Sequence, residues 1–452
     1  MLLALVNGGL WSAGNGLTSG ALIVYLAQDL GARGRSIGLI LAAPALVGTL
    51  RLVTPAVIAW MGTARRACLS TSLAAYVVLC GVPLVGVPGL VPRSAALGLL
   101  ITLLCVHQLL EYVGAAALWA WLAAIVPQRI RGRFFARRQR WQLAVLIPTV
   151  LAGGWFADWW RASSDGGQHV LIGYAVPNAV GAVLLLASLV PLVAMPATPG
   201  PARRTLAWRE IRAPLVDRRF IRLLLFGCWL SAANGIMQSA QNIYPKQVLG
   251  LGVRELSLMV IAMRVGQMAA SGWVGRASDR YGNRPVLIAS QLVVSLGPLF
   301  FLLATPAEPR WLWGAWLAWS AYVGLNVCLP NLALKLAGYQ QAAAYVATYF
   351  ALSGVSYTAA TLAGGWLLDW FEGTALPLPL APMVDRFDVL FVASWLGRLS
   401  AVAWLWWVIE PGAWSWREIL TRRRPADAPA PTHRGPQPPR PACWAATGRR
   451  RT

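Results

Sequence analysis

Charge is scarce in this chain. Only 12% of its 452 residues are Asp, Glu, Lys or Arg, about half the share of an ordinary soluble domain. Acids are scarcest, with 16 Asp and Glu against 39 Lys and Arg, and just two of the 39 are lysine. Histidine occurs three times, at 107, 169 and 433. The six cysteines (68, 80, 105, 228, 328 and 443) show no CxxC or Cys/His spacing. Neither a zinc site nor a disulfide framework follows from them. The chain has no GxxxxGK[ST], no HExxH and no GxSxG, so it shows no sign of an ATP-driven pump, a metalloprotease or a serine hydrolase. No catalytic residues, metal or cofactor are expected.

Apolar residues are abundant instead. They make up 57% of the chain, and mean hydropathy is +0.56. About twelve runs reach the roughly 20 apolar residues that a membrane helix needs. They fall at 4–28, 37–60, 68–90, 96–126, 141–160, 169–195, 221–245, 255–275, 286–304, 311–335, 345–368 and 387–409. The net charge of +23 would suggest nucleic acid in a soluble protein, but 28 of the 39 basic residues lie in or beside alternate loops and the tail. That is the positive-inside pattern. It predicts both termini in the cytoplasm and no nucleic-acid partner.

The first run has no basic leader and no signal-type cleavage site, and its first charge is Asp29. It reads as a mature span. The chain starts almost inside this run, so its start codon is expected upstream. The Arg-rich, Lys-poor composition points to a high-GC bacterium and hence to an inner membrane. From about residue 411 the sequence turns Pro-, Ala- and Arg-rich (PADAPAPTHRGPQPPRP). This is expected to be a disordered cytoplasmic tail, able to touch anionic lipid.

The chain repeats itself. A shift of 219 makes ten of the 24 positions from 12 to 35 identical, among them Asn15/Asn234, Tyr25/Tyr244, Gly31/Gly250 and Arg35/Arg254. A shift of 211 aligns LAGGWFADW (151–159) with LAGGWLLDW (362–370), seven of nine matching. Six apolar runs per repeat is an even number, so the halves enter the membrane from the same side and are parallel repeats. The expected domains are a six-helix bundle at 1–195, a cytoplasmic linker at 196–219, a second bundle at 220–410 and the tail at 411–452. The expected fold class is an all-α integral membrane protein with twelve helices in two pseudo-symmetric six-helix bundles.

Between the eighth and ninth runs the sequence reads GRASDRYGNRP. Gly275, Asp279, Arg280, Gly282 and Arg284 form G-x3-D-R-x-G-x-R, which resembles the loop signature of the major facilitator superfamily. VPQRIRGRFFARRQR after the fourth run resembles a basic stretch that many members carry there. The resemblance covers about 1–410. It implies a monomeric secondary transporter working by alternating access, with the loop cluster latching the cytoplasmic side when the transporter opens outward. Asp279 is expected to pair with Arg280 or Arg284, or to cap a neighbouring helix. The matching first-half loop, AWMGTARRAC, keeps Gly62, Arg65 and Arg66 but has no acid.

Ionisable groups in hydrocarbon are costly and usually functional. His107 and Glu111 are four apart, on one helix face. Glu111 stands 16 residues before Pro127, about 24 Å along a helix and near the midplane. The pair is a candidate proton carrier. A structural pairing of Glu111 with Arg51, or direct substrate contact, are the alternatives. The resemblance places the first and fourth spans of each half along the cavity. Asn234, Gln238, Gln241 and Tyr244, with Asn15, Ser19 and Tyr25 in the other repeat, form polar stripes suited to a neutral polar solute. Interhelical hydrogen bonding is the other use for such residues. Arg264, Tyr322 and Asn326 are further cavity candidates, Arg264 for an anionic group. Arg398 is expected to snorkel or pack, and Asp158 and Asp369 to be helix-end structure. The expected function is secondary transport of a small polar organic solute, with coupled protons. The alternative is a non-transporting membrane sensor or scaffold.

Overall fold

The computed structural model describes residues 1–48, 57–58, 60–164, 167–196, 214–372, 376–378, 381–408, 410, 412–414, 418 and 421. Arg51, residues 197–213 of the 196–219 linker and almost all of the 411–452 tail lie outside the described residues.

The first half is built from α1 (Leu2–Leu17), α2 (Gly20–Asp29), α3 (Gly34–Gly48), α4 (Ala64–Leu79), α5 (Gly81–Val85), α6 (Arg93–Ile125), α7 (Gln128–Ser163), α8 (Ile172–Ala187) and α9 (Leu189–Val193). The second half comprises α10 (Arg218–Ile236), α11 (Gln238–Gln247), α12 (Val253–Tyr281), α13 (Asn283–Ser295), α14 (Gly297–Leu303), α15 (Leu312–Ala318), α16 (Tyr322–Trp370) and α17 (Arg386–Trp407). Local chemistry sets several starts. Thr63 accepts a hydrogen bond from the Arg66 N–H at the head of α4, and Asp217 does the same for Arg219 and Phe220 at α10. These are N-caps.

Eight helical stretches among the described residues are long and apolar enough to cross a membrane. The other four apolar runs fall on α1 with α2, on α3, on the charge-bearing α12 and on the later part of α16. Helix α16 doubles back. The Tyr322 hydroxyl reaches Asn234 at 2.8 Å, yet the Tyr357 carbonyl packs on the adjacent Gly235. A straight helix would hold Tyr322 and Tyr357 about 50 Å apart.

The expected helical bundles are present, and one short element stands beside them. Strands β1 (Leu376–Leu378) and β2 (Ala381–Val384) form an antiparallel hairpin, with Leu376 opposite Val384 and Leu378 opposite Ala381. The prolines of LPLPLAP cannot continue a helix, because each removes an N–H donor. Leu376–Leu378 and Ala381–Val384 are extended instead and pair with each other.

The repeat is visible in the geometry. The first helix of each half breaks at equivalent residues, Thr18 and Met237. The turn that follows uses a left-handed glycine at equivalent residues, Gly31 (φ 89°) and Gly250 (φ 67°), a conformation a Cβ would strain.

The halves meet along two antiparallel helix pairs, α3 with α16 and α7 with α12. Small residues let the backbones approach. A Cβ on Gly34 would strike the Gly365 carbonyl, and one on Gly365 the Gly34 carbonyl. The Thr358 hydroxyl donates to the Ala42 carbonyl at 3.5 Å, and Gly154 packs on the Arg254 backbone. Among the described residues, every hydrogen bond and ion pair joining the halves uses residues 25–42 or 158 of the first half. They lie towards the face that carries the β1–β2 hairpin, here the hairpin face. The opposite face carries Arg65, Arg66 and the Arg-rich start of α7 and is here the basic face.

Gly365→Val should wedge the hairpin face apart. Ser239 is fully buried and lies 3.1 Å from the positions that a Cβ on Gly38 or Gly365 would take. In a cysteine-free background, Ser239→Cys is expected to resist a soluble maleimide. Adding Gly365→Val should raise its labelling rate at least tenfold, measured by mass spectrometry.

Candidate functional site

A cavity of about 560 Å³ lies between the halves, within the usual size of small-molecule sites. Helices α1, α4, α6 and α7 supply most of the wall, and α12 closes it from the other half with Arg264 and Gln267. Three aromatic side chains, Trp11, Tyr76 and Trp119, stand in the first-half wall, with Glu111 and Arg138 among them.

Glu111 and His107 meet as their spacing predicts. His107 is 6% exposed, and its Nε2 stands 3.0 Å from Glu111 Oε2. Its Nδ1 stands 3.0 Å from the Ala75 carbonyl oxygen. A carbonyl only accepts, so Nδ1 carries a hydrogen. The contact to Glu111 then needs one more proton, held on the ring or on the carboxyl. The pair therefore binds a single exchangeable proton in one of two places. The Trp11 Nε1–H donates to the other carboxyl oxygen at 3.2 Å, which couples this proton site to the first helix of the chain. Arg51, the alternative partner of Glu111, lies outside the described residues.

Arg264 faces the cavity, its Nη1 donating to Gln267 Oε1 at 3.3 Å. The polar stripes fare differently. Tyr25 is fully buried and donates to the Leu251 carbonyl at 2.9 Å, so it seals the hairpin face. Tyr244 donates to the Ala304 carbonyl at 2.6 Å and packs on Phe301, Phe387 and Phe391, inside the second half. Asn15 donates to its own helix at Trp11, and Ser19 is the half-buried N-cap residue of α2, its hydroxyl turned out of solvent. Asn234 accepts from Tyr322, the interhelical use. Gln238 and Gln241 are half-buried, Asn326 is exposed, and none of the three lines the cavity described above. Arg398 does not snorkel. It is 2% exposed and stacks over Trp319 at 5.3 Å.

The loop motif is organised by an acid outside it. Gly282 joins α12 to α13 at φ 95°, a turn only glycine makes without strain. Glu410, whose side chain is 1% exposed, accepts from the Arg284 N–H at 2.7 Å, the Asn283 amide at 2.7 Å and Lys335 at 2.8 Å. The Arg284 guanidinium donates to the Leu405 and Trp406 carbonyls at the end of α17. Asp279 pairs with neither Arg280 nor Arg284, as the sequence had suggested it would. Both it and Arg280 are exposed, and Arg280 lies over the Tyr281 ring. Gly275 sits within α12. Glu410 follows the last apolar run, where nothing in the sequence links it to a motif more than 120 residues earlier.

Asp158 and Asp369 are at helix ends, but the helices they cap belong to the opposite half. Asp158 accepts from the Val253 and Arg254 N–H groups at 3.0 and 2.8 Å. Asp369 accepts from Gly34 and Arg35 at 2.6 and 2.9 Å. The four N–H groups are equivalent under the repeat. Each carboxylate satisfies orphan donors at the positive end of a helix. Lys246 also reaches Asp29 at 2.7 Å across the halves, and Arg161 and Tyr174 hold the same carboxylate.

Comparison with known proteins settles the family. The Major Facilitator Superfamily profile matches residues 2–361. The chain belongs to the major facilitator superfamily. Its fold is shared by the nucleoside transporter NupG (TM-score 0.66, 13% identity, covering 90% of this chain and 98% of that one). The inward-open xylose transporter XylE from E. coli gives a TM-score of 0.62 at 15% identity, covering 90% and 95%. A bacterial homologue of the iron transporter ferroportin, in an inward-facing state, gives 0.63 at 14%, covering 90% and 98%. No curated protein matches in sequence. This member of the superfamily is thus a multi-pass membrane protein of a secondary-transporter family.

Burial acts to raise the Glu410 carboxyl, but Lys335, the Arg284 N–H and the Asn283 amide outweigh it and hold Glu410 below the ordinary carboxylate range. A lowered folded value gives stability that is complete above about pH 4.3 and is lost as pH falls through that lower value. Glu410→Ala leaves Lys335 and the motif N–H groups without their acceptor. It should cost about 3 kcal/mol at pH 7. In thermal unfolding, the wild-type melting temperature should fall more steeply on acidification below pH 4.3 than that of the variant.

Proposed function

We propose that this chain is a proton-coupled secondary active transporter that moves a small polar solute across a bacterial inner membrane by alternating access. The basic face is cytoplasmic, both termini lie inside, and residues 1–195 and 220–410 are the two bundles that rock about the cavity. The chain works as a monomer in contact with lipid. The observation that carries this reading is the asymmetry of the contacts between the halves, gathered on the hairpin face while the cavity lies beyond them. That is an inward-facing arrangement, the state named for the XylE and ferroportin-homologue neighbours.

The cycle follows from the antiparallel pair α7 and α12. Each carries an acid near its C-terminal end, Asp158 on α7 and Asp279 on α12. With the hairpin face closed, Asp158 caps α12 and Asp279 is exposed. When the halves rock the other way, Asp158 is released and Asp279 becomes able to cap the start of α7, the latch that the family motif implies. The His107–Glu111 proton and the Trp11 contact tie this movement to protonation. Losing the proton leaves a ring lone pair facing a carboxylate, which repel, and frees Glu111 towards the cavity.

A thermal-shift screen of the purified protein in detergent identifies a solute for the test. At a hundred times its Kd a ligand adds about 2.7 kcal/mol of stability. In proteoliposomes under an imposed pH gradient, the wild type is expected to accumulate that solute, labelled, against its gradient. Glu111→Gln should exchange it across the membrane without accumulating it. Neither uptake nor exchange by the wild type is the result of a sensor or scaffold.

A further inference from the structure

Among the charged residues that line the cavity, two are arginines and one is a glutamate. Arg138 is 4% exposed, and its partners are neutral. Nε donates to the Ala4 carbonyl at 3.3 Å and Nη2 to the Asn7 side-chain oxygen at 3.0 Å. Its guanidinium also lies 5.7 Å from the Trp119 ring centroid. No carboxylate is within ion-pair distance of it or of Arg264 among the described residues. A buried, uncompensated guanidinium is expensive, and a cavity that keeps one is short of a negative charge.

Glu111 does not supply it. Its two oxygens go to His107 and Trp11. With its shared proton the His107–Glu111 pair is neutral in either arrangement, and without that proton it carries one negative charge. The two arginines carry two positive charges throughout. The cavity is therefore net positive in both states of the pair. Arginine also suits the role chemically, since its planar fork presents several donors to an oxyanion.

From this we infer that the transported solute is an anion of small-molecule size, its charged group received between Arg138 of the first half and Arg264 of the second. The inference rests on the transport reading above and names the class of its substrate. One anion then touches both halves and compensates the charge that the protein leaves open. A neutral sugar or a cation leaves both guanidinium groups unpaired.

The test reads the sign of the cavity directly and needs no known substrate. Ala115 lines the cavity. Ala115→Cys is placed in a cysteine-free background and treated, at low ionic strength, with an anionic or a cationic methanethiosulfonate reagent. The two rates are normalised to those of a free thiol in solution. The expected result is at least a tenfold preference for the anionic reagent, with several-fold of it lost in Arg264→Gln and in Arg138→Gln. Arg264 is exposed and, among the described residues, bonded only to Gln267 one turn on, so Arg264→Gln stays informative if Arg138→Gln misfolds. Equal rates, a preference for the cation, or a preference that Arg264→Gln leaves unchanged overturns the inference. If the preference fails while the wild type still accumulates or exchanges a solute in proteoliposomes, the anion is wrong and the transport reading stands. If uptake and exchange also fail, the transport reading falls with it.

Discussion

Two carboxylates placed at the N-termini of helices in the opposite half hold one face of this protein shut. Asp158 caps α12 and Asp369 caps α3, each with two short hydrogen bonds to consecutive backbone N–H groups. A charge at a helix terminus contributes roughly 0.3 to 2 kcal/mol. Two such caps make a closure strong enough to bias an equilibrium and weak enough to open, since about 1.4 kcal/mol changes a population ratio tenfold. The other contacts across the halves fit around them. The glycine contacts of α3 with α16 let the second cap reach its N–H groups. The Lys246–Asp29 pair adds an ion pair across the halves on the same face.

The cavity inherits its character from this closure. With the hairpin face held by caps, the space between the halves is walled on one side by the aromatic and charged residues of α1, α4, α6 and α7 and on the other by Arg264. The proton shared by His107 and Glu111 sits in that wall, one hydrogen bond from the first helix. In the proposed cycle, protonation and rocking are linked through Trp11, a residue whose side chain touches the carboxyl and whose helix packs on α7. Glu410 plays a separate, static part. It ties α13 to the end of α17 and to Lys335, all within the second half.

Much of this was legible in the sequence. The apolar runs, the repeat and the loop motif led to the fold, because hydropathy and turn glycines act locally and leave a local trace. The His107–Glu111 pair was legible for the same reason, as helical spacing alone brings residues four apart together. Partners chosen across the fold left no such trace. Tyr25 and Tyr244 looked like cavity residues and instead seal or fill the structure, since their hydroxyls find carbonyls on distant segments. Arg138 is one basic residue in an Arg-rich stretch, and only its burial and neutral partners set it apart. Asp158 and Asp369 were recognisable as helix-end acids from their shared G-G-W-x-x-D setting, but the helix each one caps is more than 90 residues away.

Whether the two aspartate caps hold one end of a rocking equilibrium is read most directly from spin-label distances across both faces. Label pairs would bridge the halves on the hairpin face and on the basic face, in wild type and in Asp158→Asn with Asp369→Asn. Removing the caps is predicted to lengthen the hairpin-face distances and shorten the basic-face distances together. Unchanged distances, or lengthening on both faces at once, would contradict the account.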